Sequence, residues 1–392
     1  MKKKIVSILL VAVLCASIFT FAACSSSGSS SGSSSSGDTI KIGALGPYSG
    51  ETAMYGTATR EGIELAAEQI NEKGGINGKK MEVVFYDTKG DSNEAVNAYN
   101  RLRDKDEVVA IVGAVLTGES LAIKEMAKAD NMPILTPTST AADVTKDASN
   151  SFGVCYLDEY QGNAGANFST TAAPDGLGAK TAAVLMSKGN TYSEGLAAAF
   201  TKTFTANGGT IVDTESYGKD DKDFSAQLTK IKQLNPDVVY VPDYYSTVGI
   251  ILQKAKEMGM TSHFVGGDGW DSVQQEYADA AQGHYFANHY AADSPKEMVQ
   301  NFIKAYQAKN NKSANSFAAL GYDGMGVMAQ AITKAGSTDK QAIIDALKGI
   351  EYDGVTGKFT FDENGNPKGK EITIIKVDGG QLKFVTTVKG DN

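Results

Sequence analysis

The sequence predicts two α/β lobes, each a parallel-rich sheet flanked by helices, behind an N-terminal leader and a flexible tether. Three observations carry this. From Thr39 onward, short apolar runs alternate with amphipathic stretches at intervals of roughly 20–30 residues, the pattern of strands followed by covering helices. About ten such runs occur, too many for one comfortable sheet. The chain has 392 residues with 42% hydrophobic and 21% charged, enough to bury more than one core.

The elements follow in order. Ile40 to Leu45 reads as a strand; Ile63, Ala66, Ala67 and Ile70 then recur at helical spacing and stop at Gly74-Gly75. Met81 to Tyr86 is the next strand, and Asp91 with Glu94 three residues later signals the start of a helix to Asp104. Val108–Val112 and Met132–Leu135 are strands around a helix from Glu119 to Ala129. The pattern restarts near Gln161, with helix to Ala173. Strands follow at Thr181–Met186, Thr210–Glu215, Asp237–Val241 and His263–Gly266, separated by helices at Glu194–Ala206, Phe224–Leu234 and Val248–Met258. After Pro295 two or three helices run to about Lys348. Lys358–Phe361, Ile372–Val377 and Leu382–Thr387 then read as strands, separated by Asn364-Gly365-Asn366-Pro367 and Gly379-Gly380 turns.

The first 37 residues differ from the rest. Met1 to Lys4 is a short basic start and Ile5 to Ala23 an apolar run, so residues 1–23 read as a signal peptide. It ends in Phe21-Ala22-Ala23-Cys24, which resembles the lipobox of bacterial lipoproteins, with Phe21 in place of the usual Leu, Val or Ile. The resemblance implies cleavage before Cys24 and lipidation of its sulfur. Residues 24–37 are Ser and Gly after the cysteine, a coil reaching about 20 Å. The expected location is extracytoplasmic, with the chain anchored to the bacterial cell membrane through Cys24. Of the three cysteines, Cys15 leaves with the leader and Cys155 stays alone, so no internal disulfide is expected.

Composition excludes several functions. The net charge is −9, and the only charges in the first 37 residues are three lysines, so the acidity belongs to residues 38–392. Nucleic acid, which needs a basic patch, is excluded as a partner. Arginines are three (Arg60, Arg101 and Arg103), all in the first third, which argues against a site of paired guanidiniums. The histidines are His263, His284 and His289. His284 and His289 miss the spacing of a helical metal pair. Nucleophile-elbow, P-loop and Cys-x-x-Cys motifs are missing, so neither catalysis nor a metal or cofactor is expected.

Ligands of open α/β sheets bind at the carboxyl ends of strands. The loops there hold Gly46-Pro47-Tyr48-Ser49-Gly50 with Tyr55, Thr117-Gly118, Thr136 to Thr140, Asn190 to Glu194, Pro242 to Tyr245, and Gly266 to Trp270. This chemistry suits an amino acid. Hydroxyls of Thr117 and Thr140 with backbone N–H groups at a helix start can hold a carboxylate. Asp268 offers a counter-charge for an ammonium, and Tyr55, Tyr192 and Tyr244 can cover methylenes.

At these residues the chain resembles the branched-chain amino acid (Leu/Ile/Val-binding) family of solute-binding proteins of ABC transporters. The matching segments are IKIGALGPYSGETAMYG, EQINEKGGINGKKMEVVFYDT, AIVGAVLTGES, MPILTPTSTA, YSEGL, DFSAQLTKIKQLNPDVVYVPDYY, HFVGGDGW and ALGYDGM, covering nearly all of the chain from Thr39. The resemblance implies a two-lobed, type I periplasmic-binding-protein fold with three hinge crossings. The expected lobes are 38–160 with 288–355, and 161–287 with 356–392. It implies a carboxylate site at Thr117 and Thr140, a carbonyl for the ammonium at Thr138, aromatic cleft residues at Tyr55, Tyr192 and Tyr244, and an ammonium partner at Asp268. It also implies ABC permease subunits as partners and a monomer.

Four features depart from the leucine-type pattern. Asp268 replaces a glutamate one methylene longer. Gly118-Glu119 stands where serines are usual; Glu119 either favours the helix dipole or meets a polar or cationic ligand side chain. Tyr156 and Trp270 either shrink the side-chain pocket or stack on an aromatic ligand. The cysteine pair of some relatives is missing. An aromatic or other small polar ligand, and a sensor with the same fold, are the competing expectations.

Overall fold

The computed structural model describes residues 39–389. The leader, the tether and Cys24 lie outside the described residues. The first sheet is built around β1 (Ile40–Gly46), nearly continuously buried because helices cover both faces. Ile42 stands between Val83 of β2 (Met81–Asp87) and Ala110 of β3 (Ala110–Val112). With β4 (Ile134–Thr136) and β5 (Ser151–Gly153), the all-parallel order is β2-β1-β3-β4-β5. Helices α1 (Ala53–Glu72), α2 (Ser92–Asp104) and α3 (Thr117–Ala129) make the first three crossovers. Asp91 caps α2 as its spacing with Glu94 predicts, accepting from the N–H groups of Asn93 and Glu94.

The second sheet starts after α4 (Asp158–Thr170) with β6 (Thr181–Ser187), α5 (Thr191–Ala206), β7 (Thr210–Tyr217) and α6 (Ser225–Leu234). It continues through β8 (Val238–Tyr240), α7 (Tyr245–Glu257), β9 (His263–Gly266), α8 (Val273–Ala281) and β10 (Tyr285–Asn288). Three helices follow: α9 (Glu297–Asn310), α10 (Ser316–Ala335) and α11 (Lys340–Lys348). They return to the first sheet, where Leu320, Met325 and Met328 of α10 share a core with Ile42 and Val112.

The C-terminal strands divide between the two halves. β11 (Glu351–Gly354), β12 (Gly357–Phe361) and β13 (Pro367–Lys368) form a small antiparallel sheet. β14 (Glu371–Asp378) and β15 (Gln381–Lys389) join the second sheet, whose order is β15-β14-β10-β9-β8-β6-β7. The chain therefore changes sheet three times, after β5, after β10 and after β13. The sequence reading places the last change at 355, but it falls at Gly369-Lys370. Residues 356–368 go with the first half because Phe359 and Phe361 enter its core, Phe361 lies edge-on to Phe152, and Gly153 N–H donates to Gly365 O at 2.9 Å. Short strands β5, β10, β11 and β13 have no period of their own in the sequence.

Helices α1 and α10 meet through glycine. A Cβ on Gly62 would lie 2.0 Å from Ala318 O, and one on Gly321 would lie 2.3 Å from Thr59 O. Gly62→Ala forces two helix backbones apart and is expected to cost about 3 kcal/mol, the upper end for overpacking. A urea titration that finds the same midpoint and slope as wild type rejects this close approach.

Candidate functional site

The two sheets point the carboxyl ends of β3, β4, β6, β8 and β9 at one another. Thr117 opens α3, Thr138 and Thr140 follow β4, Tyr192 lies in the first turn of α5, Tyr244 caps α7, and Asp268 starts a short 3-10 turn after β9. These six, with Val115, Leu116, Gly269 and Phe317, enclose one void. It measures about 240 Å³.

The first-sheet wall is a hydroxyl scaffold. Thr138 Oγ1 donates to Val115 O at 2.6 Å, and Thr136 Oγ1 donates to Ala114 O at 2.8 Å while accepting from Ser139 N–H. Ser120 and Ser139 hydroxyls pair at 2.7 Å. These bonds fix the 113–116 loop to the 136–140 loop. Thr117, the first residue of α3, and Thr140 line the void beside this scaffold. Orphan helix N–H groups beside hydroxyls favour an anion without any arginine.

Glu119 is part of this scaffold. It accepts from Leu116 N–H at 3.1 Å and from the Thr88 hydroxyl, is buried, and does not line the void. Gly118 is exposed, with Ser92 Oγ the atom nearest its Cβ direction at 3.8 Å. Neither residue faces a ligand side chain here.

The second-sheet wall is organised by Asp268. Its Oδ1 accepts from Tyr192 OH at 2.9 Å, its Oδ2 lies 2.8 Å from His289 Nε2, and its N–H donates to Gln161 Oε1 at 2.9 Å. Burial pushes His289 below its usual pKa, although Asp268 opposes this. The neutral imidazole therefore carries its proton on Nε2, the only arrangement that donates to a carboxylate. The His289 ring stacks on Tyr156 at 3.9 Å between centroids. Sequence reading missed His289; its only signal is a histidine just past β10, at a change of sheet.

Of the aromatic residues, Tyr192 and Tyr244 stack at 5.1 Å and both face the void. Tyr55 stands behind them and does not line it. Its hydroxyl donates to Gly269 O and accepts from Tyr245 N–H at 2.8 Å, and its ring stacks on Phe317 at 4.1 Å. Tyr55 thus ties α1 of the first half to the Asp268 turn and α7 of the second. Trp270 is wholly buried, with Nε1 donating to Val241 O at 2.8 Å and the ring over Gly266. Tyr156 lies behind the wall beside His289. The specificity roles expected of Gly118, Glu119, Tyr156 and Trp270 therefore find no side chain of theirs at the void.

Comparison with known proteins gives one consistent picture. The family model described as "Periplasmic binding protein" matches residues 39–381. A leucine-, isoleucine-, valine-, threonine- and alanine-binding protein of Pseudomonas aeruginosa is 32% identical over 341 residues, covering 86% of this chain and 89% of that protein. The crystal structure of a leucine-binding protein from Thermotoga maritima aligns with a TM-score of 0.83 at 33% identity, over 89% of this chain and 98% of that one. That of a branched-chain amino acid transporter substrate-binding protein from Streptococcus pneumoniae in complex with isoleucine gives 0.84 at 33%, over 89% and 99%.

Burial pushes Glu119 up to about 7 from its ordinary 4.5, against the bonds from Thr88 and Leu116. The folded chain then holds a proton that the unfolded chain has lost, so stability falls as pH rises from about 4.5 through 7. The expected loss at this one group is about 3 kcal/mol. In denaturation series from pH 5 to 8, Glu119→Gln should show a shallower fall than wild type; parallel curves reject the assignment.

Proposed function

The chain belongs to the periplasmic binding protein family, and from that premise we propose that it is an extracytoplasmic receptor for a neutral, branched-chain amino acid. It closes two lobes around the ligand and delivers it to an ABC importer. The single observation that carries this reading is the opposition across one void of a buried acid, Asp268, and an arginine-free anion site at Thr117 and Thr140. An amino acid zwitterion matches both ends at once. The carboxylate takes the Thr117 and Thr140 hydroxyls and the α3 N–H groups, the Thr138 carbonyl accepts from the ammonium, and Asp268 balances its charge.

Each end of the ligand engages a different sheet, so ligand binding and lobe closure are one event. The aliphatic side chain lies against Val115, Leu116 and Phe317, with Tyr192 and Tyr244 over its methylenes. No bond is made or broken. Among the described residues no group of acids, histidines and cysteines could hold a metal. The leader directs export, Cys24 carries the lipid anchor, and the Ser/Gly tether holds a monomeric receptor near its permease.

Calorimetry with the twenty amino acids should give heat for leucine, isoleucine or valine and none for acidic or basic ones. Asp268→Asn should weaken that binding thirty- to a hundredfold, about 2–3 kcal/mol. Silence across the panel, or unchanged affinity in the variant, defeats the reading. For the anchor, metabolic labelling with a radioactive fatty acid should mark the wild-type protein and not Cys24→Ser; unlabelled wild type, or equal label in the variant, would refute lipidation at that sulfur.

A further inference from the structure

The two halves also meet outside the void, at Glu51. The passages between the sheets gather on one side of the molecule: they run through β5 and α4, β10, and β14, and α4 packs on the paired β10 and β14. Glu51 and Lys222 lie on the other side. Glu51 follows β1, separated from the edge strand β5 by β3 and β4, and Lys222 follows β7, the edge of the second sheet opposite β15 and β14. Lys222 Nζ lies 2.9 Å from Glu51 Oε1, and both side chains are more than half exposed. Tyr245 OH donates to Glu51 O at 2.9 Å. Tyr245 is the first residue of α7; its N–H donates to Tyr55 OH, and its ring lies edge-on to Tyr55 at 5.1 Å between centroids. One residue of the first half thus takes a donor from each of two segments of the second. None of Glu51, Lys222 and Tyr245 lines the void.

Resting on the receptor reading above, we propose that Glu51 is a clasp across the edge of the site away from the passages: it does not touch the amino acid, but it sets how long the amino acid stays. The passages hold the halves together on one side, so their parting is widest on the other. A contact there breaks whenever the ligand leaves and forms only after it has entered. It therefore acts on release and not on encounter.

The two contacts of the clasp respond differently to salt. The Lys222–Glu51 pair stands in solvent and is screened, whereas the hydroxyl of the buried Tyr245 bonds a neutral carbonyl and is not. An amino acid with an apolar side chain carries no net charge, so salt does not change its arrival by steering. The buried Asp268 is screened much less than the exposed pair. Lys222 also acts on Asp243, a buried acid that accepts from Tyr217 OH and from the N–H of Tyr244. Removing Lys222 therefore loses the bond to Glu51 and a charge beside a tyrosine of the void, while Glu51→Gln loses the ion pair alone.

The test follows release of radiolabelled L-leucine, chased with excess unlabelled L-leucine by rapid filtration, at about 20 mM and about 500 mM sodium chloride. At the lower salt, Glu51→Gln and Lys222→Met should each release leucine about two- to fivefold faster than wild type, with association unchanged. The double variant should release no faster than Lys222→Met, because both changes remove one contact. At the higher salt the gap between wild type and Glu51→Gln should close. Tyr245→Phe should release leucine faster than wild type and keep the salt response. Equal release from wild type and Glu51→Gln at the lower salt, multiplied effects in the double variant, or a change confined to association overturns the proposal. The two exposed positions decide this even where Tyr245→Phe fails to fold. If wild type binds no branched-chain amino acid at all, the receptor reading falls and takes the clasp with it; the other outcomes leave that reading standing.

Discussion

The structure turns on the placement of one buried carboxylate. Asp268 sits at 2% exposure, where an isolated charge is prohibitive, so its neighbours must supply hydrogen bonds before any ligand does. Tyr192 comes from α5, His289 from the end of β10, and Gln161 from α4. Each arrives from a different part of the second half. The turn that carries Asp268 is in turn pinned to the first half by Tyr55 through Gly269 O. The acid is thereby a junction: its orientation depends on the second sheet, and its distance from the threonine wall depends on how the halves meet.

The passages between the sheets are built to hold that meeting. At the first, Tyr156 lies under the His289 ring, and His289 itself begins the second. At the third, Lys370 is buried, donates to Thr356 Oγ1 at 2.6 Å and lies over the Phe359 ring at 4.6 Å. Burial pushes its ammonium down to about 8. Thr356 Oγ1 in turn donates a hydrogen bond to Asp323 at 2.6 Å, and Asp323 also accepts from the N–H groups of Val355 and Thr356. A cation and an acid are thus joined through one hydroxyl where the chain leaves β13. Polar groups satisfied in this way restrict the directions in which the passages can bend.

Most of the fold could be read from the chain because its two periods are regular. β1 and α1 show it: an unbroken apolar run, then apolar residues at helical spacing, stopped by Gly74-Gly75. The short strands could not be read, since three residues such as Ser151-Phe152-Gly153 carry no period. The boundary at 355 failed for a different reason. Phe359 and Phe361 have a strand's alternation, but alternation does not say which of two cores receives them. The wall residues were legible from loop position and residue type, as Thr117, Thr140 and Asp268 show. His289 and the inward turn of Trp270 were not, because partners distant in sequence set their roles.

The placement of Trp270 and Glu119 also bears on the ligand class proposed above. Trp270 offers no wall to an aromatic ligand, because its indole is committed to Val241 O. The case for a cationic side chain needs a free acid near α3, and Glu119 is committed to Leu116 and Thr88. The apolar lining of the void is Val115, Leu116 and Phe317, which favour apolar surface. A carboxylic acid without an ammonium fares worse still. The first wall can neutralise its charge with hydroxyls and helix N–H groups, but Asp268 would be left buried with no opposite charge. The proposed selection for a zwitterion with an aliphatic side chain therefore rests on which charges the walls have already paired and which they have kept.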